Sequence, residues 1–245
     1  MNKLKVVIYG SKGRMGKALL EAIATSDDLE LAGTIDEDEP LDSIASADAV
    51  IDFSHAEATE RALDQCVKLG KIIVIGTTGH NNKLRSRIFE AAKSIPVIFS
   101  PNYSVGVNTL FWLTNKAAEI LGPDYDAEVI EVHHRLKKDA PSGTARKLAE
   151  ILAEVRNLDY DNDVLHGRHG MPGARTRDEI GVHAVRGGDV VGDHTVLLAA
   201  PGDRIELIHR ASSRETFARG ALRAALWARD QAPGLYDMQD VLGLR

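Results

Sequence analysis

Between residues 131 and 144 the chain reads Glu-Val-His-His-Arg-Leu-Lys-Lys-Asp-Ala-Pro-Ser-Gly-Thr, its densest run of chemically competent side chains. Two histidines, one arginine and two lysines (His133, His134, Arg135, Lys137, Lys138) stand within six positions at a strand end. Ser142, Gly143 and Thr144 then open a helical pattern. Exposed N–H groups of Gly143 and Thr144, with a hydroxyl from Ser142 or Thr144, would receive a carboxylate at such a helix start. Cations facing a helix N-terminus make little structural sense unless an anion lies between them, so the cluster predicts a small anionic substrate. Histidine exchanges protons near neutral pH, and neighbouring cations bring a lysine toward that range. His133 or Lys137 is the expected proton donor. A metal site built from the paired histidines with His166 and His169 is the rival. Arg135, Lys137 and Lys138 would repel a divalent ion and no carboxylate pair completes the set, so no metal is expected.

A second constellation sits at the start of the chain. Gly10-Ser11-Lys12-Gly13-Arg14-Met15-Gly16 joins an apolar run to a helical pattern. Small residues there let the backbone approach a pyrophosphate, and the helix start supplies N–H donors. Asp36 lies 20 residues beyond Gly16, where an acid would accept hydrogen bonds from an adenosine ribose. With Asp36-Glu37-Asp38-Glu39 in a row and no arginine expected near a 2′-phosphate, NADH should be preferred, NADPH being the lesser cofactor. Gly76-Thr77-Thr78-Gly79 follows another buried strand and is placed to touch the same ligand. With a nicotinamide bound, the proton from His133 or Lys137 would go to a carbon beside the one receiving hydride.

The elements that must hold these residues alternate. Apolar runs at 6–9, 29–35, 49–53, 72–75 and 97–99 read as strands, and 56–69 and 82–93 as helices. Repeated strand–helix–strand units favour a parallel sheet covered on both faces. After Pro101 the rhythm changes. Helices are expected over 107–121, 142–155 and 216–229, and strands over 128–133, 181–186, 194–199 and 205–210, with a hairpin turn at Pro201-Gly202-Asp203. Residues 159–178 read as a long loop and the residues after 229 as a short tail. The second half is therefore a mixed or antiparallel α+β domain.

Composition narrows the function classes. Hydrophobic residues make up 44% and charged residues 27%, ordinary for a globular chain. The formal charge of −6 argues against nonspecific nucleic-acid binding. No signal-peptide pattern or spanning apolar run is present, so a cytoplasmic location without membrane association is expected. Cys66, the single cysteine, sits in a helical apolar pattern and reads as a core thiol.

With these motifs in view, the sequence resembles the dihydrodipicolinate reductase family. The likeness is carried by Gly10–Gly16, Ile51-Asp52-Phe53-Ser54, Ile75–Gly79, Pro101–Asn108, Glu131–Thr144, Arg186–Thr195 and His209–Arg214, and it spans essentially the whole chain. It implies an α/β fold, a Rossmann-like dinucleotide-binding domain (1–104 and 214–245) plus an α+β substrate-binding and tetramerisation domain (105–213). It also implies reduction of 4-hydroxy-tetrahydrodipicolinate to tetrahydrodipicolinate with loss of water, in lysine biosynthesis. Under the resemblance His133 and Lys137 would be catalytic, and His134, Ser142, Gly143 and Thr144 would bind a dicarboxylate substrate. Gly10, Ser11, Lys12, Gly13, Arg14, Met15, Asp36, Phe53, Gly76, Thr77, Thr78, Ser100, Pro101, Asn102 and Tyr103 would line the cofactor. A homotetramer joined through the second domain's sheets is implied as well. Glu37 stands where many members carry a basic residue, and His55 where some carry arginine. The stretch between Ile35 and Ala49 is short for the family, which suggests a trimmed loop on the adenosine side. A nucleotide sensor without turnover is the competing class, and the His133/Lys137 pair speaks against it, since a sensor needs no proton donor.

Overall fold

Val6, Val7, Ile8 and Tyr9 are all fully buried because their strand, β1 (Leu4–Tyr9), has parallel neighbours on both sides and helices on both faces. The computed structural model describes residues 2–245. Contacts divide the chain into two units, Met1–Val105 with Arg214–Arg245, and Gly106–Ser213.

In the first unit, β1 is followed by α1 (Arg14–Ala24), β2 (Leu29–Ile35), β3 (Ala49–Asp52), α2 (Ala56–Leu69), β4 (Ile72–Ile75), α3 (Asn82–Ala91) and β5 (Pro96–Phe99). The sheet runs β11 (Gly234–Tyr236)-β5-β4-β3-β1-β2, with every pairing parallel. Successive residues of each strand feed opposite cores. Val6, Ile8, Ile51, Val74 and Ile98 pack with α1 and α7 (Glu215–Ala228). Val7, Val50, Ile73, Ile75 and Val97 pack with α2 and α3. Each such side chain contributes about 1.5–3 kcal/mol of burial, so both faces are needed to hold the sheet. Cys66 lies in the second core, where burial pushes its thiol up, as a structural cysteine requires.

The expected tail is instead a working part of this unit. Strand β11 (Gly234–Tyr236) adds to β5 in parallel, and α8 (Met238–Leu242) follows it. Asp237 caps α8 reciprocally with Asp240, and Met238 is fully buried. Three residues of strand are too few to show a period, which is why the sequence reading missed them.

The second unit holds α4 (Val105–Leu121), β6 (Asp126–His133), α5 (Gly143–Arg156), α6 (Tyr160–Asp163), β7 (Val164–His166), β8 (Ile180–Arg186), β9 (Gly192–Ala200) and β10 (Asp203–Ala211). Its sheet is mixed, in the order β10-β9-β6-β8-β7: β6, β7 and β8 run parallel, and β9 is antiparallel to both its neighbours, β6 and β10. The hairpin turns at Pro201-Gly202, with Gly202 at φ +83°. The segment 159–178 is not one loop. Asp159 caps α6, accepting from the Asp161 and Asn162 N–H groups, and β7 pairs with β8 before an irregular stretch. That stretch is pinned where Arg168 and Arg175 reach Glu128. The apolar core lies on one face only, where α4 and α5 cover Ala127, Val129, Val182, Val196 and Leu198.

Candidate active site

In the first unit, β1 ends at Tyr9 and the chain turns at Gly10 with φ +85°, a backbone conformation glycine adopts without strain. A Cβ on Gly10 would stand 2.6 Å from the Phe53 carbonyl oxygen. One on Gly16 would overlap the Gly10 carbonyl. This closeness seats α1 tightly under the loop. Gly13 precedes the helix without a side-chain cap, and no acid lies in the first turn, so the positive helix end is left for an anion. The residues present therefore fit a dinucleotide pyrophosphate.

Asp36 ends β2 beside that loop. It accepts from the Ser11 hydroxyl at 2.6 Å and the Lys12 N–H at 3.2 Å, and the Lys12 ammonium lies 3.6 Å away. Burial alone would raise its carboxyl; the hydrogen bonds from Ser11 and Lys12 outweigh this and hold it below the usual range. Lys12 also pairs with Glu39 at 2.9 Å, so its ammonium is turned toward the acidic loop. One expectation needs correction. An arginine does stand at the acidic loop: Arg61 of α2 donates to the Glu37 and Glu39 carbonyls at 2.9 and 3.4 Å.

Asp52, quoted above only as part of a motif, proves to organise the rest of the site. It is fully buried at the end of β3 and accepts from the Ser54 N–H and from the hydroxyls of Ser54, Thr59 and Thr77. One carboxylate thus ties the Phe53–Ser54 turn, the start of α2 and the Gly76-Thr77-Thr78 turn together. Phe53 packs edge-on against Tyr103 at 5.7 Å. The Tyr103 side chain does not line a ligand surface, contrary to expectation. Its ring is buried in the core and its hydroxyl donates to the Ile75 and Ile98 carbonyls, fastening β4 to β5 beneath the Ser100–Asn102 turn. Ser100 is likewise turned inward, donating to the Asn102 carbonyl at 2.9 Å.

In the second unit, alternation along β6 sends Ala127, Val129, Glu131 and His133 to the covered face. Glu131 is an acid in an otherwise apolar row, fully buried. Its carboxylate takes both Arg186 guanidinium nitrogens at 2.8 Å each, the Ser142 N–H at 3.0 Å, and the His133 Nδ1. Burial would raise the carboxyl, yet the bonds from His133, Arg186 and Ser142 bring it down to about 2. Arg186 also donates to the Asp139 carbonyl at 2.6 Å, and Lys137 pairs with the Asp139 carboxylate at 2.9 Å. His133, Arg186 and the start of α5 are thus gathered around one buried charge, and Lys137 is tied to Asp139, which Arg186 also contacts.

Ser142 is not the ligand-facing hydroxyl that was expected. It caps α5 by accepting from the Ala145 N–H at 3.2 Å, contacts His194 Nε2 at 3.1 Å, and is buried. A Cβ on Gly143 would meet nothing within 4 Å, so the helix start beyond the cap is open. His134 follows on the adjoining turn, where its N–H donates to the Val190 carbonyl at 2.7 Å. Its buried Nδ1 has no protein partner, and neither has that of His194. His194 stands edge-on to His133 at 5.1 Å; burial first, then the nearby His133, pushes it down to about 3, so it stays neutral. Among the described residues, no three His, Cys, Asp or Glu side chains are gathered as a metal would need.

Glu128, on the other face of β6, is held near 2 as well, by Arg168, His183 and Arg175 against the opposing effect of burial. Both carboxyls lie below their ordinary value of 4.5, so the stability they contribute is complete above that pH and is lost as pH falls toward 2. The melting temperature of the chain should therefore drop most steeply between about pH 4.5 and 2. A melting temperature that stays level through this window in calorimetry would contradict the two networks.

A glycine turn closing on a helix start, an acid at the end of the next strand, and a second unit with a proton-exchanging cluster at its own helix start define a two-unit nicotinamide-dependent oxidoreductase. The chain belongs to the dihydrodipicolinate reductase family. The family model described as "Dihydrodipicolinate reductase, N-terminus" matches residues 4–103, and that described as "Dihydrodipicolinate reductase, C-terminus" matches residues 106–242. The 4-hydroxy-tetrahydrodipicolinate reductase of Akkermansia muciniphila is 53% identical over 242 residues, covering 98% of each chain. That of Syntrophotalea carbinolica is 46% identical over 266 residues, covering 99% of this chain and 100% of its own. The dipicolinate-bound dihydrodipicolinate reductase of Paenisporosarcina sp. TG-14 shares the fold with a TM-score of 0.81 at 23% identity, over 98% of this chain and 99% of that one.

Proposed function

We propose that this chain reduces 4-hydroxy-tetrahydrodipicolinate to tetrahydrodipicolinate with loss of water, a step of diaminopimelate and lysine biosynthesis. The observation that carries the reading is that buried Glu131 binds His133 and the Ser142 N–H at the open start of α5, while Lys137 is held by Asp139, whose carbonyl takes the same Arg186 that clamps Glu131. Gly10, Ser11, Gly13, Arg14, Met15, Phe53, Gly76, Thr77, Thr78 and the Ser100-Pro101-Asn102-Tyr103 turn hold the dinucleotide, Ser100 and Tyr103 acting as supports from beneath. A bound nicotinamide supplies the hydride that ring C4 receives. His134 and the backbone of Gly143 and Thr144 bind the two carboxylates. The C4 hydroxyl and a hydrogen of the neighbouring ring carbon leave first as water, and that carbon regains a proton, moved by His133 and Lys137, when C4 receives the hydride. Dipicolinate, a planar dicarboxylate, should compete with the substrate and not with the dinucleotide. Competition with NADH alone would place the anion site in the first unit.

NADH is the preferred cofactor and NADPH is accepted less well. A 2′-phosphate would meet the four carboxylates of Asp36–Glu39, and the cations beside them, Lys12 and Arg61, are already engaged there.

The active form is a homotetramer in the cytoplasm. Among the described residues no helix is long and apolar enough to cross a membrane. The face of the second sheet away from α5 carries Ile130, Val132, Val185, Leu197 and Ile208 in register, with Val185 47% and Ile208 46% exposed. Glu128, His183, Thr195 and Glu206 lie among them, so the face is mixed, and a second copy supplies a partner of matching apolar and polar chemistry. Ile208→Glu should dissociate the assembly to smaller species by light scattering; an unchanged mass would place the contact elsewhere.

A further inference from the structure

We propose that Glu131 is the positioning residue of the proton donor: clamped by Arg186 and the Ser142 N–H, it accepts the Nδ1 proton of His133 and leaves Nε2 as the atom that exchanges protons in turnover. The inference rests on the proposed reductase reading and concerns how its central histidine is set. A carboxylate held at about 2 has no proton to give at working pH, so the ring nitrogen facing it must be the donor. Arg186 fills both carboxylate oxygens from one side and Ser142 adds a third donor, so Glu131 cannot turn away. The other ring nitrogen faces Gly192, where even a Cβ would come within 3.0 Å of Nε2. The absence of a side chain there leaves that side of Nε2 unblocked.

During turnover the doubly protonated ring gives its Nε2 proton as the new carbon–hydrogen bond forms. It is left neutral with Nδ1–H, Glu131 remains ionised, and solvent returns the proton. The charged and titratable groups around His133 are Glu131 on its own strand, Arg186 on β8, His194 on β9 and Lys137 on the following turn; the first turn of α5 brings no acid. Glu131 is therefore the one anion in contact with the ring among the described residues. The same carboxylate also holds the helix cap that begins the anion site, so donor and substrate contacts keep a common register.

Glu131→Gln tests the assignment. The amide is isosteric and keeps one oxygen for Ser142, but it presents no charge to His133. Turnover should fall about a hundredfold with KM changed less than about twofold, and the alkaline limb of the pH profile should move. Dinucleotide binding should be unaltered. Unchanged turnover, or a loss without movement of the limb, would overturn the positioning role. Should the variant fold poorly, ring-nitrogen NMR of the unaltered protein with 15N-labelled histidine decides the matter, His133 being assigned from His133→Asn. A neutral His133 carrying its proton on Nδ1 is expected, and one carrying it on Nε2 overturns the proposal. Because that spectrum needs no substrate, a failure of the reductase reading would leave this outcome readable.

Discussion

Lys137→Met should lower kcat about a thousandfold while leaving the affinity for NADH unchanged. General acid catalysis of this kind is worth roughly a hundred- to ten-thousandfold. Lys137 is held by the Asp139 carboxylate at 2.9 Å on a side chain 21% exposed, so it is placed and still able to move. Methionine keeps the length of the stem and removes the proton. Lys137→Arg separates two roles: guanidinium keeps the ion pair with Asp139 but does not give up a proton. Recovery of activity in the arginine variant would show that Lys137 only balances charge. Failure to recover, with NADH binding intact by fluorescence titration, is the expected result.

Arg186→Met should destabilise the second unit by about 3–5 kcal/mol, because it leaves the fully buried Glu131 carboxylate without its bidentate partner. The melting temperature should fall on the order of 10 °C. Removing both charges together, as Glu131→Leu with Arg186→Met, should recover part of that loss, since an apolar pair has no desolvation cost to meet, while the Ser142 N–H and His133 Nδ1 lose their acceptor. Partial recovery of stability without recovery of turnover would agree with the account; a double variant as unstable as the single one would contradict it.

The first unit was largely readable from the sequence for a physical reason. Strands buried on both faces are short apolar runs, and the runs at Leu29–Ile35 and Ile72–Ile75 and the helix at Ala56–Leu69 lie at the bounds expected of them. Elements of three residues, β7 and β11, left no period to see. The site residues His133, Lys137 and Gly143 stand in one local segment, which is why they could be named. Glu131 was visible in that segment too, but its task was not. The signal was an acid at an inward position of an alternating strand, and its meaning depends on Arg186 and His194, which only the β6–β8 and β6–β9 pairings bring near. Arg61 escaped notice likewise, since a helix returning to the acidic loop is a tertiary fact. Ser142 and Tyr103 show the opposite error: residues fit for binding a ligand by type are committed to a helix cap and to strand carbonyls.

The most direct test is the oxidation of NADH and of NADPH by the purified chain with 4-hydroxy-tetrahydrodipicolinate, made fresh by condensing pyruvate with aspartate semialdehyde. Rapid oxidation, faster with NADH, is the result expected from the His133/Lys137 site and the acidic loop at Asp36. Faster oxidation of NADPH would keep the reductase and overturn the cofactor argument. No oxidation of either, with both dinucleotides bound, would contradict the account.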